Sequence, residues 1–395
     1  MLDRWVTARV RFLAMPTVQV RLKAREQSYQ IKIGPGLLKS LGNEARVSLG
    51  ERTRRVAVIS NKAVFDLYGE PATESLRRAN FKVTHWLMKD GEQHKSMRSL
   101  EQALALLSTA GFERTDAVVA LGGGVVGDLA GFAAATYMRG LPFIQLPTSL
   151  LAQIDASVGG KVAVNLPAGK NLAGAFYQPR MVLIDTETLR TLPRRELTAG
   201  WCEAVKQGAI GDRKLFNRTV RLLTDPDFSL NSDQSQTEVC NTIAAHCRFK
   251  ASIVAGDERE SAHRDDARSR KILNFGHTTA HALEAVTAYK RFRHGEAVGL
   301  GMLVAGEISK DLGRLAAEEL ESLRQAVRLC GPLPAANDIE IDRLIAAMKG
   351  DKKSVGGSIK WVLLEKIGKA RIVDGSEVTP GILRKALRDG LKPPR

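Results

Sequence analysis

At 395 residues the chain is long enough for two domains that each bury a core. Hydrophobic residues make up 44% and charged residues 26%, the balance of a soluble globular protein, and no apolar run approaches the ~18–20 residues that span a bilayer. The formal charge of +16 suits nucleic acid, an anionic substrate or a generally basic solvated surface; basic residues spread along the chain and only 5% aromatics argue against nucleic acid.

In chain order, Met1–Ala14 is basic and mixed, without the apolar core or small-residue cleavage site of a secretory signal. Met15 then precedes an alternating, strand-like run at Thr17–Lys23, so residues 1–17 read as an N-terminal extension. Val56–Ser60, Ala117–Leu121, Pro142–Leu146 and Met181–Ile184 read as buried parallel strands. Between them, Ala72–Ala79 and Ser99–Ala110 carry apolar residues at helical spacing. The rhythm predicts an α/β domain over 18–185, a Rossmann-like doubly wound sheet.

From Pro193 the pattern becomes helical, over Arg195–Ile210, Gln236–Ala255, His277–Ala288, His294–Leu312 and Ala316–Leu329, with one β-like run at Lys360–Leu364. Residues 186–395 are therefore expected to form a mostly α-helical domain, with the active site in the interdomain cleft. The four cysteines are scattered and form no C-x-x-C pair. That points to a reducing, cytoplasmic compartment, and to His and carboxylate ligands for any metal.

Four groups of residues carry chemistry. Leu121–Asp128 (LGGGVVGD) follows a strand, precedes the helical run Leu129–Met138 and satisfies G-x-G-x-x-G. It reads as a pyrophosphate site or as a tight strand-to-helix turn. Arg139–Ser149 contains no Asp or Glu, so the acidic residue of an ordinary Rossmann fingerprint is missing. Of seven histidines, three lie close together: His277, His281 and His294. Spacing alone puts His277 and His281 on one helical face, as a metal pair with Glu284 or Glu296 nearby or as hydrogen-bonded interior histidines.

Asp155, Lys161, Lys170 and Asn171 stand among Gly159, Gly160, Gly169 and Gly174. Lysines beside such turns suit phosphate or carboxylate; singly, each is as easily part of a solvated loop. Glu203 and Lys206 lie three apart in the apolar setting of Trp201, Cys202, Ala204 and Val205, where a buried carboxylate needs a cation or a metal.

The ordered series Asp90–Lys95 (DGEQHK), Gly122–Asp128 (GGGVVGD), Pro147–Lys161 (PTSLLAQIDASVGGK), Gly169–Asn171 (GKN), Ala175–Pro179 (AFYQP), Asn274–His277 (NFGH) and His294–Glu296 (HGE) resembles the 3-dehydroquinate synthases, from about Val18 to the C-terminal region. The resemblance implies NAD on the α/β domain, one divalent metal (zinc or cobalt) in the cleft, and a homodimer in the cytoplasm that engages neither nucleic acid nor membrane. Carried over by motif, the metal ligands are Glu203, His277 and His294, with His281 moved from the spacing-only pair to a substrate-contacting, proton-handling position. NAD contacts fall on Asn61, Asp90, Glu92, Lys95, Gly123, Gly124, Val125, Val126, Gly127, Asp128, Thr148 and Ser149, with Lys161, Lys170, Thr188 and Thr191 nearby. Substrate contacts fall on Arg139, Asp155, Lys161, Asn171, Lys206, Lys250, Arg270, Asn274, His281 and one lysine of Lys352-Lys353, taken as Lys353.

The implied reaction belongs to the shikimate pathway of aromatic amino acid and chorismate biosynthesis. It converts 3-deoxy-D-arabino-heptulosonate 7-phosphate to 3-dehydroquinate and phosphate by transient oxidation, β-elimination, re-reduction and aldol closure, a lyase reaction without net redox change. Two readings compete: a sister sugar phosphate cyclase of the 2-deoxy-scyllo-inosose or valiolone synthase type, and a metal-dependent polyol dehydrogenase. The nine residues between Glu260 and Arg270 make that loop longer than the family's, which loosens the assignment of Arg270.

Overall fold

The computed structural model describes residues 28–230, 232–261, 263–350 and 359–392. The expected run Thr17–Lys23, the extension before it and Lys353 lie outside the described residues.

The described residues of the first half form eight strands: β1 (Gln30–Gly34), β2 (Arg55–Asn61), β3 (Lys82–Met88), β4 (Ala117–Gly122), β5 (Phe143–Pro147), β6 (Lys161–Leu166), β7 (Gly169–Phe176) and β8 (Met181–Asp185). Six form one parallel sheet in the order β1-β8-β5-β4-β2-β3. Helices α1 (Leu41–Leu49) and α2 (Lys62–Arg78) cover one face, α3 (Met97–Thr109) and α4 (Gly124–Thr136) the other. Val56 and Val58 pack into the first layer, Ala57 and Ile59 into the second, which is why the central strands read as unbroken apolar runs. The edge strands β1 and β3 are only half-buried and carry Lys32, Lys82 and His85, so they gave no such signal. Strand order reverses between β2 and β4, and the crevice there lies at Asn61 and Gly122.

One stretch departs from expectation. Lys161–Phe176, expected as Gly-rich turns, is an antiparallel hairpin of β6 and β7 that stands off the sheet against α4. Gly174 permits it: a Cβ there would lie 2.3 Å from the Val162 carbonyl across the ladder.

The second half is helical: α5 (Arg194–Gly211), α6 (Arg213–Thr224), α7 (Asp233–Gly256), α8 (His277–Val286), α9 (His294–Asp311), α10 (Ala317–Leu329), α11 (Ile341–Gly350) and α12 (Pro380–Gly390), interrupted by the hairpin β9 (Lys360–Lys366) and β10 (Lys369–Asp374). Every residue from Thr198 to Ile210 on α5 and from Gly295 to Ser309 on α9 is buried, so these two packed helices form the centre of the domain. Among the described residues, no helix is long and apolar enough to cross a membrane.

Candidate active site

Three helices converge on Glu203. Its carboxylate, on α5, is 1% exposed, and its Oε1 lies 3.7 Å from Nε2 of His294 and 4.0 Å from Nε2 of His277. His277 opens α8 directly after Gly276, which takes φ 78° and is pressed against α9. His294 opens α9, and Gly295 brings that end onto α5: a Cβ there would come within 1.9 Å of the Ala199 carbonyl. The ligand-type atoms of Glu203, His277 and His294 all lie within 4.8 Å of one another.

The donor set fits a divalent metal. Two imidazoles and a carboxylate match a catalytic zinc site that keeps one position open. Lys206 Nζ lies 2.5 Å from Oε2 of Glu203 as a charge partner, but out of line for a hydrogen bond, and that buried oxygen keeps an unused acceptor direction. Burial opposes the charge on Lys206, but Glu203 and Asp155 outweigh it and raise its pKa.

A second constellation, His281, Glu284 and His294, meets the same distance criterion and shares His294 with the first. Glu284 is therefore at the site, as spacing suggested, and Glu296 is not. Glu296 accepts from Arg195 Nε at 2.6 Å and from the Arg293 backbone N–H at 2.7 Å, capping α9 instead. The ring centroids of His277, His281 and His294 stand 5.1–6.1 Å apart.

Asp155, in a single π-type turn (Ala152–Ala156) after β5, faces this cluster from the sheet domain. Lys250 on α7 lies 2.8 Å from its Oδ1 and donates to its backbone carbonyl at 2.5 Å. Burial alone would raise the Asp155 carboxyl, but Lys250 and Lys206 hold it well below the usual range. Burial pushes the Lys250 ammonium down. Behind them, Gln207 donates to Asp155 Oδ1 at 3.3 Å and pairs through Oε1 with Nδ1 of His246 at 3.0 Å. The sequence held no signal for this chain, because its members come from separate elements.

Lys161 pairs with Glu260, and Asn274 donates to the same carboxylate at 3.4 Å. Arg270 is 2% exposed and donates to the carbonyls of Glu258 (2.7 Å) and Gly159 (2.9 Å), so much of its guanidinium serves to fold the loop after Glu260. Arg139 is not brought to this cluster within the chain. It follows the far end of α4, about 20 Å from the glycine loop at 1.5 Å per residue, and is exposed with φ 68°.

The glycine loop lies at the crevice. Gly123 precedes α4, which has no side-chain N-cap, so the first-turn N–H groups face outward. A Cβ at Gly123 would meet only Ser149, with Oγ at 3.4 Å, and one at Gly124 only Ala156 at 3.3 Å, so a shift of a few tenths of an ångström in one neighbour would admit either, and bare backbone faces the crevice. Gly127 is different: a Cβ would come within 2.7 Å of Gln145 Oε1. Val125 and Val126 continue the first turn of α4.

Around the loop, Asn61 caps α2 by accepting from Val64 at 3.0 Å. Buried Lys95 donates to Asp128 (2.5 Å) and Asn171 (2.6 Å), tying α4 to the hairpin, while Glu92 accepts from Asn165 at 2.8 Å. Asp90 is exposed, and the Thr148 N–H bonds to Gly122 at 3.0 Å. Thr188 bonds to the Asp185 carbonyl at 2.7 Å and Thr191 to Tyr68. Lys170 reaches the metal-type cluster instead, 3.0 Å from Glu284 Oε1. Spacing already offers Glu284, seven residues after His277 on α8, but nothing in the sequence pairs it with Lys170.

Two family descriptions match the chain: 3-dehydroquinate synthase N-terminal over residues 85–199 and 3-dehydroquinate synthase C-terminal over residues 200–354. The chain is 44% identical over 363 residues to the 3-dehydroquinate synthase of Pelotomaculum thermopropionicum, covering 91% of this chain and 94% of that one. Among solved structures, it is similar to a 2-epi-5-epi-valiolone synthase from Streptomyces hygroscopicus with NAD+ and Zn2+ bound (TM-score 0.80, 26% identity, 93% and 98% of the two chains). It is also similar to a 2-deoxy-scyllo-inosose synthase complexed with carbaglucose-6-phosphate, NAD+ and Co2+ (TM-score 0.74, 25% identity, 91% and 96%).

Proposed function

Because the chain belongs to the 3-dehydroquinate synthase family, we propose that it converts 3-deoxy-D-arabino-heptulosonate 7-phosphate to 3-dehydroquinate and phosphate. The observation that carries this is the gathering of Glu203, His277 and His294 with the cations Lys206, Lys250 and Arg270 around Asp155. A substrate bearing a carboxylate and a phosphate needs several cations, and burial strengthens each contact.

Glu203, His277 and His294 would hold the metal, zinc or cobalt, while Gly123, Gly124 and the start of α4 would hold the NAD pyrophosphate. When bound, the metal supplies a Lewis acid and NAD a reversible hydride acceptor, so the redox cycle closes within one turnover.

The chain's own residues do the rest. Lys206 stays charged between Glu203 and Asp155, placed to bind a substrate oxygen beside the metal ligands. Lys250 and Arg270 face the anionic groups; Lys161, drawn from Glu260, and Asn171 and Asn274 complete the polar wall. A ring nitrogen of His281 takes up and returns a proton during elimination and ring opening. The same side chains would then hold the enol against its carbonyl for aldol closure, a gain in effective concentration.

Asn61, Asp90, Glu92, Lys95, Asp128, Thr148 and Ser149 line the nucleotide side in this reading, and the domain boundary lies near Asp185. Thr188 and Thr191 are held by the bonds described above, and Lys170 is turned to Glu284 at the histidine cluster. Arg139, exposed beyond the far end of α4, would contribute only from a second copy of the chain, in a homodimer.

The second reading is a sister cyclase, favoured by the fold likeness to the valiolone and inosose synthases. The higher identity to the curated dehydroquinate synthases and the set Lys250, Arg270, Asn274 and His281 favour the first. The test is phosphate release from 3-deoxy-D-arabino-heptulosonate 7-phosphate by metal-loaded protein with catalytic NAD. Stoichiometric phosphate and dehydroquinate without NADH build-up is expected. Turnover of glucose 6-phosphate or sedoheptulose 7-phosphate instead would move the chain to a sister cyclase, and steady NADH from a simple polyol would make it a dehydrogenase.

A further inference from the structure

Each histidine of the metal-type cluster has a second ring nitrogen, and the structure assigns those nitrogens different partners. His277 Nδ1 lies 3.2 Å from the Phe275 carbonyl, two residues back in its own chain segment. His294 Nδ1 lies 3.3 Å from Oε2 of Glu284, a side chain 4% exposed. In both rings Nε2 is the nitrogen nearest Glu203.

A backbone carbonyl can only accept, so it fixes the His277 tautomer with hydrogen on Nδ1 and a lone pair on Nε2. Glu284, as a carboxylate, does the same for His294. Its other oxygen, Oε1, is 3.0 Å from Nζ of Lys170, which also lies 4.3 Å over the Tyr289 ring. Lys170 comes from β7, so a residue of the sheet domain aims a carboxylate that serves a histidine of the helical domain.

We propose that Glu284 is a positioning residue for the metal site: it sets the tautomer and rotation of His294 so that Nε2 faces Glu203 and His277, and Lys170 holds Glu284 in that pose across the cleft. Partners of this kind commonly change metal affinity 10–100-fold. The alternative role, Glu284 and His281 as ligands of a second ion, is opposed by the Lys170 ammonium on the one oxygen and the His294 contact on the other. The inference rests on the Glu203–His277–His294 reading of the metal site.

The test measures zinc affinity and stoichiometry by chelator competition, without NAD or substrate, for wild type, Glu284→Gln, Glu284→Asp and Lys170→Met. One ion per wild-type chain is expected. Glu284→Gln, nearly isosteric but able to present its amide NH₂ to Nδ1, should weaken affinity roughly 10–100-fold while metal-free melting changes little. Glu284→Asp, which keeps the charge, should recover part of the loss, and Lys170→Met should show a smaller loss. Ring nitrogen NMR of the wild type should show His294 protonated on Nδ1, with that signal altered in Glu284→Gln.

Failure is separable from failure of the underlying reading. A wild type that binds no zinc, or binds it undiminished in Glu203→Gln, sinks the metal site itself. A wild type that binds one ion with Glu284→Gln unchanged in affinity and tautomer overturns the role of Glu284, as would two ions per wild-type chain with one lost in Glu284→Gln.

Discussion

Lys206 Nζ lies 2.5 Å from Glu203 Oε2, one helical turn along α5, and both side chains are 1% exposed. Two opposite charges removed from water together stabilise little in sum, but removing one strands the other.

Lys206→Met should therefore destabilise the metal-free protein by about 3–5 kcal/mol, because Glu203 is left as a buried, uncompensated carboxylate. Zinc would then replace the lost cation. Denaturant unfolding with and without zinc checks this: the metal should stabilise Lys206→Met more than wild type, and equal stabilisation would argue that Glu203 is no ligand.

Removing metal should abolish turnover. Chelator-treated protein, and the variants Glu203→Gln, His277→Ala and His294→Ala, should each lose several kcal/mol of transition-state stabilisation, about a thousandfold or more in rate. Zinc or cobalt should restore chelated wild type and leave the variants inactive. Full activity of His294→Ala in the presence of chelator would be the contrary result.

Gly123→Ala separates nucleotide binding from folding. The backbone at Gly123 is ordinary extended chain, and an added Cβ meets only the Ser149 side chain, its Oγ at 3.4 Å. Stability should fall by no more than about 1 kcal/mol, the cost of a poorer N-cap. NAD affinity, read by calorimetry, should fall about tenfold, a cost of about 1.4 kcal/mol, if the pyrophosphate rests on that backbone. Unchanged affinity would place the nucleotide elsewhere.

His246 predicts a pH dependence. It is fully buried on α7 between Thr219 (3.1 Å) and Gln207 (3.0 Å), and burial lowers its pKa to about 3, with Asp155 opposing that shift and Arg218 adding to it. Between an unfolded pKa near 6.5 and a folded one near 3, the unfolded chain carries a proton that the folded chain lacks. Stability should thus fall with acid, by up to about 1.4 kcal/mol per pH unit from this group. His294 works in the opposite sense: partial burial opposes its charge, but Glu284 and Glu203 outweigh it and raise its pKa in the fold. The difference between wild type and His246→Gln isolates the effect: the wild type should lose more stability from pH 6.5 to 5, and parallel curves would show that His246 is already protonated when folded.

Much of this was legible in the sequence for local reasons. A strand buried on both faces must be apolar throughout, so β2, β4, β5 and β8 announced themselves, while β1 and β3 at the sheet edges did not. The hairpin β6–β7 was hidden because its glycines, read as turns, serve close ladder contact at Gly174.

The sequence by itself determined the two halves, the glycine loop at a strand-to-helix junction, and the residue types from which a metal site could be built. It did so because period 2, period 3.6 and glycine's missing Cβ act over a few residues. Only the tertiary structure decided that Glu284 serves His294 while Glu296 turns to Arg195, that Lys170 crosses to the histidine cluster, and that Arg139 lies at the far end of α4. Those outcomes depend on where separate helices meet and which way each side chain leaves its backbone, and spacing along one element carries neither.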